Sequence, residues 1–411
     1  MHWQTIHWVA GVTLALAWFS RIVEARIGMP HVPDISKPEW NPGALPSREC
    51  PKVSIIVPAR NEQEAIRETL KNLLALDYPQ YEIIAVNDRS TDRTGLIMDE
   101  VARAHNTDDL VNASSLSTLA DKSVRPTRLK VIHILELPPG WLGKTHAMWT
   151  AGKESTGEWL LFTDADVLFK ADCLGRAVAY AESEPADHVV LFPRMITKQA
   201  SETMMIAFFQ ALFVFGHRPW KVADPRARDH MGVGAFNMVR RSAYEEIGTY
   251  QALRMEVLDD MKLGKVIKKA GFRQRCVFGE DLISLHWAKG AFGIVNNLTK
   301  NFFAVLSFQW LRTVATIIGL GLLNLGPFLG LFFAHGWARL PYAIALISLF
   351  AIYYGMSKMS AIPPYYFFLH PVSTSLFMYT LMRSMFHTLW NDGIEWRGTK
   401  YPLDELRKGM V

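Results

Sequence analysis

Cysteine is scarce: Cys50, Cys173 and Cys276 are the only three in 411 residues, odd in number and far apart. That pattern fits neither a disulfide framework nor a zinc cluster and points to a reducing compartment. Acidic residues all but vanish between 302 and 389, where long apolar runs take over, whereas 30 to 290 is mixed and charged. The contrast excludes one uniform soluble body and predicts a soluble domain joined to a membrane domain. No block of one charge sign is present either. The net charge is +5, with Lys and Arg scattered among Asp and Glu. Such a balance suits attraction to an anionic leaflet and gives no nucleic-acid footprint.

The first apolar run, Ile6 to Val23, lacks any preceding Lys or Arg. A secretory signal needs a basic n-region, so Val23-Glu24-Ala25 is not read as a cleavage site. The run is long enough to span, with Arg21 placed to snorkel at its end. Arg21, Arg26, Arg48 and Lys52 follow it, so the positive-inside rule puts the next domain in the cytoplasm. The expected organisation is an N-terminal transmembrane helix (1–28), a linker with six prolines (29–51) and an α/β domain (52–290). An interface region (291–312), transmembrane helices (313–390) and a basic cytoplasmic tail (391–411) complete it, giving a multi-pass protein of the cell membrane. Apolar spans lie near 313–334, 340–357 and 366–388. A cytoplasmic tail requires an even number of crossings, so either one span lies in-plane or the first conceals two helices.

Within the α/β domain, strand-like runs at 53–57 (β-branched), 81–86, 129–134 and 159–163 alternate with helical spacing at 62–76, 92–104 and 144–154. Residues 105–127 are polar and irregular and read as a surface insertion. The alternation predicts a mostly parallel sheet covered on both faces, with ligands beyond the carboxyl ends of its strands. Ser201 to Trp220, rich in Met and Phe, is either a core helix or a helix in the membrane interface.

Acidic residues gather at those strand ends. Asp88 follows Val86-Asn87, and Asp164-Ala-Asp166 follows the apolar run Trp159-Leu-Leu-Phe. A carboxylate at Asp88 can accept hydrogen bonds from a base or ribose, although Asn-Asp also makes ordinary turns. Two carboxylates on a turn form a hard-oxygen site suited to Mg²⁺ or Mn²⁺, able to neutralise a diphosphate. Asp259 and Asp260 stand at a helix start, where acids commonly cap. Asp260 is the candidate general base toward an acceptor hydroxyl. Gly232-Val-Gly234-Ala235-Phe236 offers a small-residue wall for close substrate approach.

As an ordered set, Pro58-Ala-Arg-Asn-Glu62, Asn87-Asp-Arg-Ser-Thr-Asp92, Gly143-Lys144, Asp164-Ala-Asp166, Gly232-Val-Gly-Ala-Phe236 and Asp259-Asp-Met-Lys-Leu-Gly264 resemble the family 2 glycosyltransferases, over roughly 52 to 304. The resemblance implies a Rossmann-like GT-A fold, set between the one N-terminal and several C-terminal membrane helices read from the apolar runs. It also implies an inverting, metal-dependent transfer from a nucleotide sugar, by expectation a UDP-sugar. By position, Asp88, Asp164, Lys144 and Lys300 would bind the donor, Asp166 and Asp164 the metal, and Asp260 would be the base. Gly232, Gly234, Ala235 and Phe236 would face the acceptor. Asp259 replaces the family's usual Glu. A Gln-x-x-Arg-Trp motif is missing: Gln309-Trp-Leu-Arg-Thr313 lacks the final Trp, and Lys300 is the substitute charge. The membrane parts and the tail Ile394-Glu-Trp-Arg-Gly-Thr-Lys-Tyr401 are similar to ceramide glucosyltransferases and to bacterial carotenoid- or hopanoid-associated glycosyltransferases, implying a lipid acceptor drawn from the bilayer. A processive polysaccharide synthase and a non-catalytic nucleotide-binding scaffold are the alternatives. His286 is read as a structurally satisfied histidine.

Overall fold

The computed structural model describes residues 2–41, 50–115, 128–279 and 281–411. Residues 42–49 of the expected linker and 116–127 of the expected insertion lie outside them. The chain divides into a helical unit (Met1–His31, Met195–Lys221, His286–Arg407) and a sheet unit (Val32–Arg194, Val222–Leu285, Lys408–Val411). After α1 (His2–Gly28) come β1 (Val53–Ala59), α2 (Ile66–Leu74), β2 (Tyr81–Asp88), α3 (Thr94–Ser115), β3 (Arg128–Ile134) and α4 (Gly143–Glu154). Next are β4 (Trp159–Phe162), β5 (Val167–Phe169), α5 (Cys173–Ser183), β6 (His188–Leu191), β7 (Arg194–Met195) and α6 (Ala200–Gly216). The sheet unit resumes with β8 (Asn237–Arg240), α7 (Arg241–Glu246), α8 (Asp259–Lys269), β9 (Gln274–Val277) and β10 (Ile283–Leu285).

Seven strands form the main sheet in the order β3-β2-β1-β4-β8-β6-β9. β1 pairs parallel with β2 and β4, while β8 runs antiparallel to both β4 and β6. The sheet is therefore mixed but rich in parallel pairs. Every residue of β1 is buried, as expected where helices cover both faces. Alternation splits its side chains: Ile55 and Val57 join a core with Leu70, Met98 and Val178 on one face. Ile56 joins Ala147, Phe162 and Leu263 on the other. The topology carries the acids to one edge, because Asp88 ends β2 and Asp164 follows β4. α3 runs on to Ser115, eleven residues into the stretch expected to be irregular from 105. Part of the linker is also tied down: Ile35 is fully buried and its N–H donates to Phe278 O at 2.8 Å.

The helical unit holds α1, α6, α9 (Gly290–Val305), α10 (Trp310–Asn324), α11 (Gly326–Phe333), α12 (Arg339–Ser360) and α13 (His370–Trp390), followed by β11 (Gly393–Trp396), β12 (Thr399–Pro402) and α14 (Leu403–Lys408). Among the described residues, two helical stretches are long and apolar enough to cross a membrane, Trp3–His31 and Gly336–Ser360. The span expected near 313–334 is two helices, parted at Leu325 just before Pro327. α9 and α10 meet at a 120° bend, where Ser307 and Phe308 both adopt left-handed backbone (φ 57° and 55°). α13 is long, but its hydroxyls lower its apolarity, and Thr374, Ser375 and Thr380 bond back to the carbonyls four residues earlier. The Met- and Phe-rich α6 buries Met204, Met205, Phe208 and Ala211 in the apolar core of this unit, as the core-helix reading expects. The tail is ordered as a hairpin: Trp396 pairs with Thr399 across Arg397 and Gly398 (φ 50° and 75°), a two-residue turn with both central residues left-handed.

Candidate active site

Three of the acids singled out in the sequence, Asp164, Asp259 and Asp260, meet around Lys144, near the start of α4. Its ammonium lies 2.8 Å from Asp164 Oδ1 and 3.4 Å from Asp259 Oδ1. Burial alone would lower the Lys144 pKa, but Asp164, Asp259 and Asp260 together hold it well above the ordinary lysine value. Burial pushes the Asp259 carboxyl up to about 7 against the pull of Lys144. Asp259 is therefore the second partner of a buried ammonium rather than a surface cap, and its position explains why an acid stands there. The sequence signal was the adjacent acid pair; what it did not carry was the partner on α4.

Asp260 is held by backbone. Its Oδ2 accepts the Gly234 N–H at 2.8 Å and its Oδ1 the Met261 N–H at 2.7 Å. Burial raises its pKa, partly offset by Lys144 and these two donors. The Gly234 loop also borders Asp164, whose N–H donates to Gly234 O at 3.0 Å. One short loop thus links the carboxylate after β4 to the Asp260 carboxylate at the start of α8.

The glycines here are required by packing. A Cβ on Gly232 would stand 1.8 Å from the Asp260 carbonyl oxygen, and one on Gly234 would stand 2.5 Å from Asp164 Oδ2. The small-residue wall is thus in part a helix–loop contact. Ala235 and Phe236 are buried, and Phe236 packs 6.0 Å from the Phe169 ring centroid; their apolar side chains join the core instead of facing an acceptor. Gly232→Ala is expected to cost about 1–3 kcal/mol, and more where backbone must move. A thermal melt together with a transfer assay checks it, since the displaced carbonyl belongs to Asp260.

Asp88 approaches the same helix start. A Cβ on Gly143 would lie 2.2 Å from Asp88 Oδ2, so Asp88 and Lys144 flank one point of the backbone. Arg89, in left-handed backbone (φ 53°), clamps Asp88 with Nε at 2.7 Å and Nη2 at 3.1 Å, and Arg60 Nη1 stands at 3.9 Å. Neither arginine was singled out in the sequence, because an Asn-Asp-Arg-Ser run reads as a turn.

Asp166 keeps an exposed edge. The protein packed around it, then the carboxylates of Asp164 and Glu62, push its pKa up to about 7. Crowded acids of this kind suit a divalent cation. Among the described residues no group of three or more His, Cys, Asp or Glu forms a metal cage. Mg²⁺ commonly uses one or two carboxylates with substrate phosphates, and Asp164 with Asp166 fits that pattern.

Two sequence candidates lie in the helical unit. Lys300 on α9 places its ammonium 4.4 Å from the Trp396 ring centroid, a cation–π contact with the tail hairpin. His286 Nε2 lies 3.2 Å from Oε2 of Glu202, which is buried and whose Oε1 accepts the Gly290 N–H at 2.8 Å. This is the satisfied histidine expected from the sequence.

Residues 54–248 match Glycosyl transferase family 2. A probable glycosyltransferase, YdaM, of Bacillus subtilis (strain 168) is 34% identical over 131 residues, 31% of this chain and 25% of that protein. The aligned region thus spans about a quarter of that relative's length. The 4,4'-diaponeurosporenoate glycosyltransferase of Staphylococcus aureus (strain bovine RF122 / ET3-1) is 21% identical over 373 residues, 86% of this chain and 89% of that one. Among solved structures, the mannosyltransferase PcManGT from Pyrobaculum calidifontis in complex with GDP-Man and Mn²⁺ superposes with a TM-score of 0.54 at 20% identity, covering 94% of this chain and 99% of that chain.

Proposed function

From a chain whose residues 54–248 match glycosyl transferase family 2, we propose an inverting transferase that moves one sugar from a nucleoside-diphosphate donor to a hydroxyl of a membrane lipid. The observation that carries the proposal is the loop contact at Gly234, which joins Asp260 to Asp164 while Lys144 bridges Asp164 and Asp259. In the mechanism, Asp260 takes the proton of the acceptor hydroxyl, whose oxygen attacks the anomeric carbon opposite the leaving diphosphate. Its backbone hydrogen bonds fix the carboxylate, so little reorganisation is needed at that step. Lys144 supplies positive charge beside Asp164, on the diphosphate side, and Asp88 with its arginines forms the base and ribose end. Asp164 and Asp166 would hold Mg²⁺ or Mn²⁺, which when bound would neutralise charge on the departing nucleoside diphosphate.

Two features support a lipid acceptor and a bilayer location. Among the described residues, the exposed large apolar side chains lie in the helical unit apart from Leu96, Leu135 and Val411, a distribution suited to lipid. The relative named for a carotenoid substrate aligns over 86% of this chain. The expected orientation, with the sheet unit cytoplasmic and several crossings, is part of the same proposal. The donor sugar and lipid are tested by incubating membranes holding this protein with radiolabelled nucleotide sugars and weighing the labelled lipid. Single-sugar lipids are expected; polymer or unlabelled lipid would overturn the proposal. Asp166→Ala should abolish the Mn²⁺ dependence of nucleoside-diphosphate binding in calorimetry, and unchanged dependence would move the metal elsewhere.

A further inference from the structure

A buried polar chain lies behind the Gly234 loop and has no part in the proposed chemistry. His188 opens β6, Gln274 opens β9, and the two are paired residues in the sheet. They are 0% and 1% exposed. His188 Nδ1 lies 2.7 Å from Gln274 Nε2, and its Nε2 lies 3.1 Å from Asn237 Oδ1. An amide nitrogen donates and an amide oxygen accepts, so the ring is neutral with its proton on Nε2. Burial agrees, pushing the His188 pKa down to about 4. Every polar atom of this chain is then committed in one direction.

The chain ends on the loop. Gln274 Oε1 accepts the Met231 N–H at 2.8 Å, while Gln274 Nε2 donates to the Met231 carbonyl at 2.9 Å. The amide thus grips both backbone groups of Met231, as a neighbouring strand would. Beyond Met231 the loop is pressed against α8. A Cβ on Gly264 would stand 1.9 Å from Met231 O, and Gly232 is equally tight against Asp260 O. Two residues further on, the Gly234 N–H meets Asp260 Oδ2 at 2.8 Å. The height of the loop over α8 is therefore set by an amide on β9, and that amide's rotamer by a histidine on β6.

We infer that His188 and Gln274 are positioning residues for sugar transfer, holding the Met231–Gly234 backbone at the height where Gly234 orients the Asp260 carboxylate. This rests on the glycosyltransferase reading. An apolar pair would fill these wholly buried positions without the cost of desolvating polar groups; a committed donor–acceptor chain instead admits one loop position. Neither residue touches donor or acceptor, and each acts through the loop.

The test replaces the amide by a thioether of similar volume, Gln274→Met, and the ring by His188→Leu and His188→Gln. A glutamine at 188 accepts from Gln274 through its oxygen and donates to Asn237 through its nitrogen, so it restores both contacts. Gln274→Met and His188→Leu are expected to lower kcat about 10- to 100-fold, as sub-ångström misplacement of a catalytic group does. Nucleoside-diphosphate affinity should stay within about twofold, the mark of a contribution made only in the transition state. His188→Gln should recover most of the loss. A kcat change under about twofold per folded molecule, a loss of nucleotide affinity in step with kcat, or a His188→Gln variant as poor as His188→Leu would each overturn the inference. Should Gln274→Met fail to fold, Gln274→Glu serves, keeping the oxygen for Met231 N–H and removing the donor, with the same expected split. If the wild-type protein transfers no sugar, the glycosyltransferase reading fails by itself; amide exchange at Gly234 then still tests the hold on the loop. Faster exchange in Gln274→Met supports the inference, and unchanged exchange overturns it.

Discussion

Asp260→Asn should lower sugar transfer by about 10²- to 10⁴-fold, the range attributable to a general base, while nucleoside-diphosphate binding stays near the wild-type value. Asparagine has nearly the same shape, and its side-chain oxygen can still accept the Gly234 N–H that Asp260 Oδ2 accepts at 2.8 Å. It gives up the Met261 N–H contact, since an amide nitrogen cannot accept it, and it cannot take a proton. The pH profile gives a second readout. Burial holds the Asp260 pKa above the usual carboxylate value, and a base works only when deprotonated. Activity of the wild type should therefore rise with pH along a limb lying above the ordinary carboxylate range, and residual activity of the variant should lack that limb. A variant with wild-type kcat would remove Asp260 from the mechanism. Lost nucleotide binding with a normal melting temperature would assign Asp260 to the donor instead.

Much of the frame follows from local pattern. The runs at 53–57, 81–86 and 159–162 are strands because apolar and β-branched residues fill a sheet buried on both faces, and Asp88 and Asp164 stand at the carboxyl ends of the second and third, where a parallel sheet leaves room for ligand. Contacts between distant segments were less legible. Nothing beside Lys144 in the sequence names its partners until the fold sets Asp164 and Asp259 against it. Gly232 reads as freedom for substrate, yet the Asp260 carbonyl lies where its side chain would be. Apolar length left 313–334 open between one span and two helices, and the chain takes the second, with Pro327 following closely on the break between α10 and α11. Periodicity reports which face is buried, and it is silent on which partner buries it.

Lys144→Met should destabilise the sheet unit more than any other single change at the site. The side chain is 21% exposed and its ammonium faces Asp164 Oδ1 at 2.8 Å and Asp259 Oδ1 at 3.4 Å. Methionine fills similar space but leaves the acids without their counter-charge. Removing one partner of a buried ion pair costs about 3–5 kcal/mol, and the remaining exposure favours the lower end. At roughly 2–4 °C per kcal/mol for a unit of this size, the melting temperature should fall by about 6–12 °C. The loss should depend on pH with a definite sign. Asp259 already titrates near 7 because burial outweighs Lys144, and removing Lys144 raises it further. A buried acid with a raised pKa binds its proton more tightly folded than unfolded, so the fold gains stability as pH falls and loses it as pH rises through the folded value. The gap between variant and wild type should therefore narrow on acidification and widen above neutrality. Adding Asp259→Asn should restore part of the stability, since one of the stranded carboxylates is gone. Mn²⁺ should raise the melting temperature of Lys144→Met more than that of the wild type, because a divalent ion at Asp164 and Asp166 replaces the missing charge. Equal melting temperatures for Lys144→Met and wild type across this pH range would mean that the acids are neutralised by something other than the lysine.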